Sequence, residues 1–544
     1  MSLDIEGRTL RADRCRRMVR CNRTYLPPSL DEAGHDEENM SDIDSHAGSE
    51  PREIELKLDC SGPDLTVLAS HPRLQGSAFP EPDLLVTTYY DTPGRDLRAA
   101  GLTLRVRAKA GRHIQTVKAG VGDVGLFDRA EWETEIGGET PEASAWAGTA
   151  AEPVLRDAEA APERLFSTIV MRREVPLEQG ASRILVTLDE GRVESPVGDA
   201  PLCGIELELQ TGDPADLFLV AQSLAETVPL RLSVNAKSAV GFALVDGSGP
   251  AVVKAEPLDL PEEASAGEVF RRVALACLRH MRLNETAFLD GGRPPEALHQ
   301  IRVALRRLRS ALSLFAPMLE GDQRADGFND EIKRVTEPFG HARNLDVFLG
   351  QTLPSLAKER PDEPGLDGLR ERAEAERERA YDAVLATLES PQWRGLIIDF
   401  AGWIEVGAWR AQPAAAEDGR AFAARVLDRA RLRLKKRGRG LKRLDAHTRH
   451  RARIAAKKLR YGAEFFSGLY RKKKARRRQD KFGAALSDLQ DHLGSLNDLE
   501  TARAMTESLS GPPMPGVEDP GVQDLLTAAA EARAELLDVK PFWR

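Results

Sequence analysis

Residues 52–60 read REIELKLDC. In a strand, side chains two residues apart share a face. Glu53, Glu55 and Lys57 therefore stand on one side, and Ile54, Leu56 and Leu58 on the other. Runs with the same period follow in order: LVTTYYDTP (85–93), LTLRVRAKA (102–110), HIQTVKAG (113–120), DRAEWETEI (128–136), TIVMRREVPL (168–177), SRILVTLDEG (182–191) and CGIELELQ (203–210). Gly, Pro and Asp separate them, as in an antiparallel sheet or barrel. Eight strand candidates suffice to close a barrel. Two helical segments, near 153–166 and 214–228, interrupt the pattern.

The polar faces carry charge of both signs. Arg105 and Arg107 share a face, as do Thr116 and Lys118, then Arg129, Glu131 and Glu133, and finally Glu206 and Glu208. Taken alone, each strand reads as an ordinary sheet with its charged side in water. Together they place carboxylates on the first and late strands and basic groups on the middle ones. Turned into a closed barrel, such a face would be costly unless a ligand neutralised it. A metal–polyphosphate ligand does so, because carboxylates hold a hard cation while Arg and Lys hold phosphate oxygens.

Beyond the barrel, residues 247–262 (GSGPAVVKAEPLDLPE) read as a linker, with prolines and no period. From 263 to 544 apolar residues recur at spacings of three and four, the mark of an all-α domain or two packed bundles. Two stretches there align without gaps, HQIRVALRRLRSALSLF and HRARIAAKKLRYGAEFF. They match His299, Arg302, Arg306 and Arg309 with His450, Arg453, Lys457 and Arg460. Offsets of 0, 3, 7 and 10 fall on one helical face. A second pair lies downstream, GHARNLDV (340–347) and GSLNDLE (494–500), and the duplication implies two pseudo-equivalent bundles.

The chain has 544 residues and a net charge of −9. Between Arg425 and Lys481, however, 24 Lys/Arg face 4 Asp/Glu, a balance of +20 that leaves −29 for the rest. A basic block in an acidic protein points to a polyanionic partner. The run RKKKARRR (471–478) is expected to be flexible and solvated. Five scattered cysteines without CxxC spacing argue against a disulfide scaffold or a zinc site and fit a reducing cytoplasm. No apolar run is long enough for a membrane span, and basic residues break up any signal-peptide core. Residues 1–50 read as a disordered tail, with Met40 an alternative start.

EIELK (53–57) resembles the ExExK signature of the CYTH family, the triphosphate tunnel metalloenzymes. YYDTP, LTLRVR, QTVK, RAEWE, LVTLDEG, IELELQ and NAKSAVGF follow in the family's order over 51–246. The helical half, 263–544, resembles the CHAD domain, a polyphosphate-binding module. The implied architecture is an α+β multidomain protein: an N-terminal antiparallel eight-stranded β tunnel barrel, then an all-α helical-bundle domain with internal duplication.

The implied activity is hydrolysis of inorganic tripolyphosphate with Mg²⁺ or Mn²⁺. On the resemblance, Glu53, Glu55, Asp189, Glu206 and Glu208 are metal carboxylates. Lys57, Arg105, Arg107, Lys118, Arg129, Arg172 (or its neighbour Arg173) and Lys237 are phosphate contacts. Glu53, Glu55, Lys57, Arg105, Arg107 and Lys118 form the catalytic set. His299, Arg302, Arg306, Arg309, His450, Arg453, Lys457 and Arg460 would bind inorganic polyphosphate. Asn344 departs from the pattern, standing where RDLDV has an acid. The expected location is the cytoplasm, in association with polyphosphate granules and with no membrane partner. The alternatives are an adenylate cyclase acting on ATP, and a non-catalytic binder of polyphosphate or nucleic acid. RLRLKKRGRG (431–440) and RKKKARRR suggest nucleic acid, but neither run carries the interleaved aromatics that stack bases.

Overall fold

The structure is a computed structural model that describes residues 52–75, 81–109, 111–119, 124–362, 364–510 and 520–544. The N-terminal tail, with Met40, lies outside the described residues, as does the Arg129 side chain.

Strands β1 (Arg52–Asp59), β2 (Asp83–Asp91), β3 (Leu102–Lys109), β4 (Arg112–Ala119), β5 (Leu126–Ile136), β6 (Glu163–Gln179), β7 (Ser182–Ser195) and β8 (Gly198–Thr211) form one antiparallel sheet in the order β5-β4-β3-β2-β6-β7-β8-β1. β1 pairs with β8 on one side and with β5 on the other, which closes the ring. A short β9 (Arg231–Leu232) pairs with the end of β1. Each of the eight sequence runs supplies most of one ring strand. The helix expected near 153–166 is shorter, Ala151–Asp157, because β6 already begins at Glu163. There Leu165 and Phe166 enter the barrel-side packing as strand residues.

The strand faces point as the period requires. Leu56, Leu58, Leu104, Val106, Val117, Ile205 and Leu207 are buried against apolar neighbours outside the ring. The charged faces turn inward. One glycine in the ring is fixed by close backbone approach, since a Cβ on Gly191 would stand 2.0 Å from the Ile169 carbonyl oxygen. Gly191→Ala should therefore lower stability by about 1–3 kcal/mol in chemical denaturation, and a neutral result would show that β6 and β7 can separate there.

The helices of the barrel region are α1 (Gly62–Leu68), α2 (Asp96–Ala99), α3 (Ala151–Asp157), α4 (Ala215–Ala225) and α5 (Lys237–Val245). The rest of the chain is helical: α6 (Ala266–Asp290), α7 (Pro295–Phe315), α8 (Gln323–Val335), α9 (Glu337–Val347), α10 (Leu353–Glu359), α11 (Leu366–Leu388), α12 (Pro391–Val406), α13 (Gly419–Arg437), α14 (Ala446–Phe465), α15 (Lys473–Ser508) and α16 (Pro520–Asp538). The RKKKARRR run is not the flexible segment expected: from Lys473 onward it is the opening of α15. Phe482, Leu486, Leu489 and Leu493 anchor that helix downstream at spacings of three and four, and Lys and Arg are good helix formers that let it extend back into solvent.

One apolar core runs from the barrel's outer face into the helices. The segment 247–262 has no helix or strand, yet it is pinned: the Val253 carbonyl accepts from Asn284 Nδ2 (3.0 Å), and the Val253 amide donates to Asn284 Oδ1 (3.1 Å). α6 also grips the barrel. Arg279 donates to the Val234 carbonyl at 2.6 Å, and buried Arg282 donates to the Leu232 carbonyl at 3.0 Å and pairs with Glu285 at 2.5 Å. The gripped backbone leads directly to Lys237 at the start of α5.

Candidate active site and anion groove

The ring encloses a cavity of about 710 Å³. Lysine, arginine and carboxylate side chains dominate its wall, and strand register sets their order. Glu208 stands opposite Glu55, Glu206 opposite Lys57, and Asp189 opposite Arg172. Arg105 lies opposite Thr116, and Lys118 opposite Glu131. Glu53, Glu55, Lys57, Arg105, Arg107, Lys118, Asp189, Glu206, Glu208 and Lys237 all line this cavity. Arg172 lines it and Arg173 does not, as expected for neighbours on a strand.

The interior charges pair in a definite pattern. Arg172 grips Asp189 through two hydrogen bonds, 2.8 and 2.7 Å, and reaches Glu206 at 3.2 Å. Lys237 bonds to Asp189 and stands 3.1 Å from Glu206, while Lys57 lies 2.5 Å from Glu206 and 3.0 Å from Glu55. Burial alone would raise the Asp189 and Glu206 pKa values, but Lys237, with Arg172 and (for Glu206) Lys57, holds both below the usual carboxylate range. Across the lumen Lys118 bridges Glu53 and Glu131, each at 2.7 Å, and Arg105 lies 3.2 Å from Glu131.

Two places do not balance. Arg107 has no hydrogen bond or ion pair with any described residue, its Nε is buried without a partner, and its pKa is pushed down to about 10 by Arg105, by burial and by Arg172. Opposite in sign, Glu208 is raised by burial and by the nearby Glu53 and Glu55. The cavity thus has an under-compensated basic wall and a crowded carboxylate wall. Among the described residues no three His, Cys, Asp or Glu side chains form a ready-made metal cluster, since Glu53 and Glu55 are turned onto Lys118 and Lys57. The donor chemistry of Glu53, Glu55 and Glu208 nevertheless fits a hard divalent cation, and their mutual repulsion would be relieved by one.

Sequence reasoning put Glu131 and Glu133 on the charged face without assigning them a role and passed over Glu174; all three line the cavity. The signal was present. Glu131 and Glu133 lie in phase with Arg129, and Glu174 lies two residues from Arg172.

A second cavity, about 750 Å³, lies in the helical half between α7 and α14. His299, Arg302 and Arg306 line it from α7, and His450, Arg453 and Lys457 from α14. The duplicated faces therefore look at each other. Arg309 instead lines an adjoining cavity that shares Arg302 and Arg306, whereas Arg460 is exposed and sits over the Tyr461 ring at 5.0 Å. Arg343, Asn344, Arg449, Asn497, Asp498 and Glu500 complete the groove. Burial, together with Arg306 and Arg453, pushes the Lys457 ammonium down to about 6.

Family comparison agrees with this division. The CYTH domain family matches residues 51–242 and the CHAD domain family residues 272–507. The chain carries a CYTH domain followed by a CHAD domain. An inorganic triphosphatase of Haemophilus influenzae is 29% identical over 196 residues, which cover 36% of this chain and 55% of that protein, so the chain spans about half the length of this relative. The solved CHAD domain of Ricinus communis is 30% identical, covering 54% of this chain and 98% of its own, with a TM-score of 0.44. A protein from Hippeastrum, described as a candidate adenylyl cyclase with a dominant triphosphatase activity, is 20% identical, covering 36% of this chain and 97% of its own, with a TM-score of 0.27. No helix among the described residues is long and apolar enough to cross a membrane.

Proposed function

We propose that the CYTH tunnel hydrolyses inorganic tripolyphosphate in a Mg²⁺- or Mn²⁺-dependent reaction, and that the CHAD groove binds inorganic polyphosphate. The observation that carries the first half is the divided lumen, with under-compensated Arg107 on one wall and crowded Glu53, Glu55 and Glu208 on the other. A linear triphosphate carrying a divalent cation supplies both missing charges. Glu53, Glu55 and Glu208 would hold the cation; Asp189 and Glu206 would join them as Lys57, Arg172 and Lys237 turn to phosphate. Bound there, the cation supplies charge neutralisation and a more acidic water.

The chain's own residues do the rest. Arg105, Arg107 and Arg172 grip non-bridging oxygens and offset charge that builds as the terminal phosphoryl group is transferred to water. Lys57, Lys118 and Lys237 orient the remaining phosphates. Tyr89 is the one aromatic side chain among the described lining residues, which leaves little to hold an adenine. Phosphate release from tripolyphosphate, measured beside cyclic AMP formation from ATP, separates the hydrolase from the cyclase.

Arg105→Ala or Arg107→Ala should each lower kcat/KM by about tenfold to several hundredfold, the loss expected for one or two charge-assisted contacts. Steady-state kinetics of both variants check this. Wild-type values in both would leave these side chains without a role in transfer.

For the groove, pH supplies the test. An anion beside Lys457 and His299 favours their charged forms, whereas burial lowers the pKa of both. Below about pH 6 Lys457 is already protonated; above it, binding must draw a proton from solvent. Polyphosphate affinity should therefore fall as pH rises from about 6 to 8, and Lys457→Arg should flatten the fall. Affinity rising with pH in a titration series would contradict the assignment.

A further inference from the structure

The two halves of the groove are built alike but charged differently. Aligning the downstream pair sets Arg343 against Asn497, Asn344 against Asp498, and Asp346 against Glu500. In the second half, Arg453 faces Asp498 at 3.9 Å, Arg449 faces Glu500 at 3.3 Å, and His450 Nδ1 meets Asn497 Oδ1 at 2.9 Å. The first half lacks these counter-charges. Asn344 is neutral, Arg343 adds a cation, and Asp346 is buried and turned to Arg377 (2.8 Å) and Tyr381 (2.9 Å), with Arg343 only at 3.9 Å.

Among the described lining residues, the first half thus supplies His299, Arg302, Arg306 and Arg343 with no carboxylate, and the second supplies Asp498 and Glu500 along with its bases. Arg302 has no hydrogen bond or ion pair with a described residue. Burial, Arg306 and Arg343 push its pKa down to about 10. Its Nη1 occupies the space beside Gly340, 2.9 Å from where a Cβ would stand, whereas nothing approaches the matching Gly494. Past Arg302 and Arg306 the adjoining cavity adds Arg309, Lys333 and Arg334, but there Asp330 and Glu337 stand among the bases. Among the described lining residues, the first half of the groove is therefore the stretch of this basic surface without a carboxylate.

A terminal phosphate carries about −1.5 to −2 near neutral pH, by analogy with a phosphomonoester, and an internal one carries a single charge. We propose that the first half of the groove is an end-binding subsite: the terminal phosphate of a polyphosphate chain sits among Arg302, Arg306 and Arg343, and the chain runs from there toward Arg453 and Lys457. This rests on the polyphosphate reading above and adds to it a polarity and a preference for chain ends.

The test uses the full chain carrying Glu55→Gln, with chelator present to suppress hydrolysis. Binding of long-chain polyphosphate with free ends is compared with that of the same chains capped at both ends as phosphoramidates. Capping should weaken binding by about tenfold or more, as loss of charge-assisted contacts implies. Asn344→Asp should weaken free-ended chains by a clearly larger factor than capped chains, because the added carboxylate opposes the doubly charged end most strongly. Asn344 and Asp498 are both exposed, so the change should leave the thermal unfolding midpoint in place. Equal affinity for capped and free chains, or equal weakening of both by Asn344→Asp, overturns the end subsite. Binding of neither would instead reject the polyphosphate reading, and the subsite with it.

Discussion

Glu55→Gln is expected to reduce tripolyphosphate turnover by at least about a hundredfold, the scale seen when a group that stabilises transferring charge is removed. Glu55 is 2% exposed and stands opposite Glu208 on the neighbouring strand. The amide keeps the volume and removes the charge, so the carboxylate wall loses one of the three oxygens sets offered to a divalent cation. Lys57, its nearest base, retains Glu206 at 2.5 Å and is not left as an unpaired buried charge. The fold should therefore survive, and an unchanged unfolding midpoint beside lost phosphate release would locate the effect in chemistry. Wild-type turnover by this variant would remove Glu55 from the mechanism.

The second large effect belongs to the helical half. Reversing charge at Arg302 and Arg453 together should cost about a hundredfold or more in polyphosphate affinity, because each loses a contact and adds a repulsion. The same reversal at Arg476 and Arg477 should cost less than about tenfold. Both of the latter are exposed on the opening turns of α15, where Lys473, Lys474, Arg477, Arg478 and Lys481 form a shallow basic patch of their own. The comparison therefore sets an enclosed groove against an open cationic surface. Equal losses in a binding titration at matched salt would mean diffuse attraction, and the duplicated helix face would then be structural only.

Much of this arrangement was legible in the chain because strand period is strict. A slip of one residue would turn Glu53, Glu55 and Lys57 outward, so the charged face of each strand could be read without coordinates. The choice of Arg172 over Arg173 was not legible. Both sit in MRRE, and only the register of β6 against Asp189 on β7 decides it. Glu131 and Glu133 were in phase with the charged face but carried no assigned role, since spacing alone does not tell a lining carboxylate from a surface one. In the helices, i, i+3 and i+7 spacing put His299, Arg302 and Arg306 on one face. That α7 and α14 turn those faces toward each other is a tertiary fact. Arg309 and Arg460, one turn further along, had already drifted off the groove. The solvated reading of RKKKARRR was right in exposure and wrong in order, because the apolar anchors of α15 lie beyond the run itself.

The central claim is that the tunnel is a metal-dependent triphosphatase. The most direct measurement is phosphate release by the full chain from tripolyphosphate, ATP and long-chain polyphosphate, with Mg²⁺ or Mn²⁺ and again in excess chelator. The divided lumen predicts release from tripolyphosphate that exceeds the other substrates and disappears with the metal. Release that persists in chelator, or no release from tripolyphosphate at any metal concentration, would contradict it.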